Sequence, residues 1–135
     1  MKVFKIALPG IFLTFLIFAA YSCKKDSDKG QIVYGTYSLD ITVMHHSWNV
    51  PNIPVYLKKN ATTFPGIDTA LYEYKTIADS DGKARFEKLF PGNYYLFAQG
   101  YDYYFGADVI GSTPIVLTNP GLQDKGLNIT LMVSE

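Results

Sequence analysis

Residues 76–98 constrain the fold more than any other stretch of the chain; they read Thr-Ile-Ala-Asp-Ser-Asp-Gly-Lys-Ala-Arg-Phe-Glu-Lys-Leu-Phe-Pro-Gly-Asn-Tyr-Tyr-Leu-Phe-Ala. Asp79-Ser80-Asp81-Gly82 offers short side chains that bond their own backbone, plus a glycine free to take a positive φ. Pro91-Gly92 offers a fixed φ followed by a permissive one. Between and beyond these reversals the apolar residues alternate, Ala84 and Phe86 first, then Tyr94, Leu96 and Ala98. A period of two describes a sheet with one buried face. The stretch reads as strand, turn, strand, turn, strand, a β-meander that puts Phe86, Leu89 and Tyr94 in the inner layer.

The flanking sequence repeats the pattern. Over residues 36–44, Leu39, Ile41 and Val43 alternate with Ser38, Asp40 and Thr42, which predicts a half-buried strand. Residues 45–52 read as a loop. Residues 54–59 form a second strand with Val55 and Leu57 inward and Tyr56 and Lys58 outward. Residues 71–78 form a third, whose buried face is either that of Tyr72, Tyr74, Thr76 and Ala78 or that of Leu71, Glu73, Lys75 and Ile77. After a tyrosine-dense connection at 100–106, short strands are expected at 107–110 and 114–118. A last strand at 127–133 carries Leu127, Ile129, Leu131 and Val133 on one face. No amphipathic helical period follows Ser22. Seven to eight short strands separated by turns predict a single antiparallel Greek-key β-sandwich over residues 36–135.

The amino terminus follows different rules. Lys2 and Lys5 precede an apolar run at 6–20 that closes on Ala19-Ala20-Tyr21-Ser22-Cys23, the parts of a secretory signal at 1–22. The run is too short for a spanning helix, which needs about 20 apolar residues. Cys23 is the one cysteine in the chain, so no internal disulfide forms. Residues 23–35, rich in Lys, Asp and Ser, predict a flexible tether. Once Lys2 and Lys5 are removed, 10 basic residues face 12 acidic ones with neither sign clustered, which argues against nucleic acid.

Ala20 and Ser22 before Cys23 resemble the lipobox of bacterial lipoproteins of the Bacteroidetes type. This implies cleavage before Cys23, acylation of its thiol, and attachment to the outer membrane facing the periplasm or the cell surface. Lys25, Asp26 and Asp28 resemble the surface-export signal of such lipoproteins. Within the sandwich, Pro54-Val55-Tyr56-Leu57, Ala78-Asp79-Ser80-Asp81-Gly82-Lys83 with Phe86 and Leu89, and Pro91-Gly92-Asn93-Tyr94-Tyr95-Leu96 resemble the carboxypeptidase regulatory-like domain family. That family is kin to the collagen-adhesin B-type and transthyretin-like (prealbumin-like) sandwiches. The resemblance implies a non-catalytic module that lends structure, spacing or binding surface at the cell envelope. Some such domains cross-link a first-strand lysine to a last-strand asparagine. Residues 36–44 hold no lysine, and Asn128 takes the parity opposite to Leu127 and Ile129, so no such bond is expected.

For chemistry, the residues offer little besides rings. His45 and His46 are neighbours expected to point to opposite faces of a strand, with no third His or Cys partner, so no metal is expected. Asp79 and Asp81 are explained by the turn, not by calcium. Ser47 beside His46 lacks an oriented base, and Asp102 and Asp108 read as turn or edge positions. Neither an enzyme nor a cofactor is expected. Trp48, Tyr101, Tyr103, Tyr104 and Phe105 gather in two loops, while Tyr95 and Phe97 take the outward parity of their strand. Exposed rings stack on sugars or fill a partner's pockets at low entropic cost. Asp68-Thr69-Ala70 resembles the O-glycosylation sequon of Bacteroidetes-type bacteria, with Thr69 as acceptor. The sequence thus predicts a membrane-anchored structural or binding module with a surface protein or glycan as partner; the alternative is a carbohydrate-binding accessory subunit of an uptake or hydrolase system.

Overall fold

A computed structural model describes residues 35–119, 121 and 126–135. The signal, Cys23 and nearly all of the expected tether lie outside the described residues. Among the described residues eight strands form: β1 Tyr37–His45, β2 Trp48–Asn49, β3 Pro54–Lys59, β4 Tyr74–Ile77, β5 Lys83–Leu89, β6 Gly92–Asp102, β7 Ala107–Leu117 and β8 Leu127–Val133. β1 is central to one sheet, flanked by β8 along one edge and by β5 and the short β2 along the other; the second sheet runs β4-β3-β6-β7. The protein is an all-β sandwich.

Alternation sets the core between the sheets. Tyr37, Leu39, Ile41 and Val43 of β1 face Val55 and Leu57 of β3 and Tyr94, Leu96 and Ala98 of β6, all nearly inaccessible. Phe86, Leu89 and Tyr94 join this layer as the sequence predicts. Leu89 reaches it through a bulge: Lys88 has φ 58°, and the β1–β5 register slips between Tyr37 and Leu39. One extra residue therefore turns Leu89 back to the face of Phe86. The Tyr94 hydroxyl donates to the Phe90 carbonyl at 2.8 Å, pinning the Pro91-Gly92 reversal to the strand that follows.

Several expectations require correction. Residues 76–98 are not a meander, because β4 and β6 lie in one sheet and β5 in the other, so the chain crosses the sandwich twice. The Asp79–Gly82 turn is an arch. The Asp79 carboxylate accepts from the Asp81 and Lys83 amides at 2.8 and 2.9 Å, while the Ala78 amide donates to Ile53, just before β3 of one sheet, and the Gly82 carbonyl accepts from Val43 in β1 of the other. Parity gives the same inward residues either way, since both sheets share one core. Second, the β1–β8 pairing is parallel, whereas every other strand pairing is antiparallel. Third, residues 107–117 form one strand, paired with β6 along its length, because Pro114 lies on an outer strand where proline is tolerated. Fourth, residues 45–52 include a two-residue hairpin, with His45 paired to Trp48 and His46 at φ 54°. The third expected strand is shortened to β4 by a 3-10 turn at Thr69–Leu71, capped by Asp68. Tyr74 of β4 packs on the core.

β7 and β8 meet at a corner of the sandwich through paired hydrogen bonds between Ile110 and Ser134, each 2.9 Å. Gly111 permits this approach, since a Cβ there would lie 2.2 Å from the Met132 carbonyl oxygen.

Candidate functional site

The β1–β2 and β6–β7 hairpins come from different sheets and meet at one end of the sandwich. Asp102 joins them. It is the last residue of β6, on the inward parity of Tyr94, Leu96 and Ala98, just as His45 ends the inward parity of β1. Each is only 2% exposed. One Asp102 carboxylate oxygen, Oδ2, lies 3.0 Å from His45 Nδ1; the other accepts from the Tyr104 amide at 2.9 Å and, at 3.4 Å, from that of Phe105. An ionised carboxylate only accepts, so Nδ1 carries the proton that it shares with Asp102. Burial alone would raise the Asp102 pKa. The hydrogen bonds from His45 and the two amides outweigh it, and the carboxyl sits below its ordinary value.

This carboxylate sets the shape of the 103–106 turn, whose rings then pack outward. Tyr104 stacks on Trp48 with centroids 5.0 Å apart and planes 26° apart. Phe105 meets Tyr104 edge-on at 4.9 Å and covers both His45 and His46, at 4.9 and 5.2 Å. Tyr101 and Tyr103 make a second edge-on pair at 5.0 Å. All five predicted rings are accessible: Trp48 55%, Tyr101 44%, Tyr103 83%, Tyr104 67% and Phe105 40%. Trp48 from one loop and Tyr104 and Phe105 from the other thus build one aromatic platform, with a buried His–Asp pair as its anchor and the Tyr101–Tyr103 pair adjoining it in sequence.

Other predicted positions fall elsewhere. His45 and His46 do not point apart: their rings stack at 4.3 Å, because the left-handed backbone of His46 folds it back over its neighbour. Among the described residues, no group of three or more His, Cys, Asp or Glu is placed to hold a metal. Phe97 takes the outward parity but is not exposed. It is fully covered by the residues 60–73 connection, stacking on Tyr72 at 5.2 Å and touching Tyr56 and Phe64. Tyr95, half-buried, touches Phe64 as well. Thr69 opens the 3-10 turn, half-buried, with its carbonyl accepting from Tyr72 and the Asp68 carboxylate accepting from Ala70. Asn128 is exposed on the outer face of β8, paired in register with Asp40. The expectation of a turn or edge position for Asp102 is corrected: it ends β6 and is buried. The signal for its role was a histidine and an aspartate each ending the inward row of a strand, where unpaired polar groups are costly.

No protein family model matches the chain, and no curated protein matches it. Solved structures do. The major pilin subunit BcpA of Bacillus cereus superposes with TM-score 0.50 at 16% identity, covering 74% of this chain and 30% of the pilin. Its D312A variant gives 0.51 at 12% identity over 75% of this chain, again 30% of the pilin. A protein from Pseudomonas aeruginosa, provisionally described as carbohydrate binding, gives 0.51 at 11% identity, covering 74% of this chain and 90% of its own. At these identities the likeness is one of β-sandwich fold. This chain spans under a third of the pilin's length.

Proposed function

We propose that this chain is a non-catalytic, envelope-anchored binding module whose aromatic platform recognises carbohydrate. The observation that carries the reading is the exposure of five rings at one end of a rigid sandwich. Trp48 and Tyr104 are already stacked on each other, each with much of its surface open. A flat ring presents an apolar, weakly negative face to the C–H groups of a pyranose and loses little side-chain entropy on binding. The His45–Asp102 pair fixes the platform before a ligand arrives, which lowers the cost of association. The fold likeness to a protein provisionally described as carbohydrate binding supports the same reading. A glycan array probed with the protein is expected to give discrete positives that vanish in Trp48→Ala and Tyr104→Ala, with melting temperatures unchanged. Positives that survive both substitutions would contradict it.

The pilin likeness favours a second reading, a spacer module in which the sandwich supplies length and the rings contact a neighbouring protein. Co-purification of a membrane protein with no glycan bound would favour that version. In either reading Cys23 is acylated and holds the chain on the outer membrane, two or more acyl chains giving firm attachment. Cys23→Ser is expected to abolish labelled palmitate incorporation and move the protein to the soluble fraction; retained label on the variant would refute the anchor. Thr69, half-buried at the start of the 3-10 turn, is proposed as a glycan acceptor, tested by hexose mass on its peptide from the native host.

A further inference from the structure

The outer face of the β3-β6-β7 sheet carries a groove of about 530 Å³ lined by Pro54, Tyr56, Gln99, Asp108 and Ile110. Its volume lies within the range of small-molecule sites. Register explains its composition. Tyr101 pairs directly with Asp108, and Gln99 with Ile110, so these four side chains stand on one face in two adjacent rows. Pro54, one step beyond the Val55–Ala98 pair, extends the second row across β3. One side is walled by the buried Tyr56 ring, which Tyr72 and Phe97 hold in place. Next to the lining, in register with Asp108, stands Tyr101, which also meets Tyr103 of the 103–106 turn. The cross-strand partner of a groove residue thus also belongs to the aromatic end.

We infer that this groove is a second subsite for the same ligand, taking the next units of a linear, uncharged oligosaccharide whose first unit stacks on the platform. This rests on the carbohydrate reading above and deepens it. Gln99 offers an amide that both donates and accepts, and Asp108 a carboxylate that accepts from two vicinal hydroxyls. Tyr101 adds a ring at the rim. Amide, carboxylate and ring within two rows of one sheet face match the alternating hydroxyl and C–H surfaces of a pyranose. The negative charge of Asp108 opposes uronic acids, so the ligand is a neutral hexose or pentose polymer.

The test is calorimetry on the full chain in detergent micelles, using xylo-, cello- and manno-oligosaccharides of one to six units and an oligogalacturonate. Affinity for one series is expected to rise with length over the first three units and then level off. Gln99→Ala and Asp108→Ala are each expected to weaken the longer ligands about tenfold, the scale of one hydrogen bond, and to leave the monosaccharide unchanged. The oligogalacturonate binds more weakly than its neutral counterparts, and Asp108→Asn narrows that gap. Affinity that is independent of length and indifferent to both alanine variants, yet lost in Trp48→Ala, would overturn the groove and leave the platform standing. No heat with any sugar would overturn both.

Discussion

Replacing Asp102 by alanine is expected to lower the stability of the fold by about 3–5 kcal/mol, the range for breaking a buried pair by removing one partner. The residue is buried, and its carboxylate takes the Nδ1 proton of an equally buried His45 along with the amides of Tyr104 and Phe105. Without it the imidazole and the turn amides lose their acceptor where water reaches them poorly. The loss is read from denaturant unfolding, and a decrease below about 1 kcal/mol would mean that the pair does not hold the two hairpins together. The effect also has a pH signature. Because the folded-state pKa of Asp102 is depressed, its contribution is fully present above the unfolded carboxylate value near about 4. It fades as the pH falls through the lower folded value. The gap between wild type and Asp102→Ala should therefore narrow on the acid side. Glu73 is lowered too, since hydrogen bonds from Lys58 and the Lys59 amide outweigh its desolvation. It titrates in both proteins and cancels from the difference.

Phe97→Ala is expected to cost a similar amount, about 3–5 kcal/mol, although strand parity points this side chain away from the sandwich core. The ring is completely covered; with Tyr56 and Tyr72 it forms a second, smaller apolar cluster on the outer face, and Phe64 packs against it. Removing it leaves a cavity under the residues 60–73 connection and frees the Tyr56 ring that walls the groove. Thermal unfolding measures the first effect. A near-neutral substitution would show that the connection does not close over the sheet. A comparison with Tyr103→Ala, whose ring is 83% exposed, sets the scale: that variant should unfold as wild type does.

These two residues show where the sequence was readable and where it was not. Alternation at Leu39, Ile41, Val43, Tyr94, Leu96 and Ala98 located the core, because a shared interior imposes the same period on both sheets. The same logic could not assign strands to sheets: an arch and a hairpin both use Asp, Gly and a tight turn, so the crossing at residues 79–82 depends on the partners of Ala78 and Gly82. Parity placed Phe97 on the outer face but could not show that a connection with a 3-10 turn folds over it. The five platform rings were legible as a loop cluster by composition. Their convergence was not, since Trp48 and Tyr104 are brought together by the pairing of His45 with Asp102, a contact across 57 positions.

Trp48 is the only tryptophan in the chain and sits on the platform itself, so its fluorescence reports the central claim directly. Titrating neutral oligosaccharides into the protein should shift or quench the emission saturably, and Tyr104→Ala should abolish that response while leaving the unfolding curve in place. An emission that stays constant across sugars shown by calorimetry to bind would place recognition elsewhere on the molecule and contradict the account.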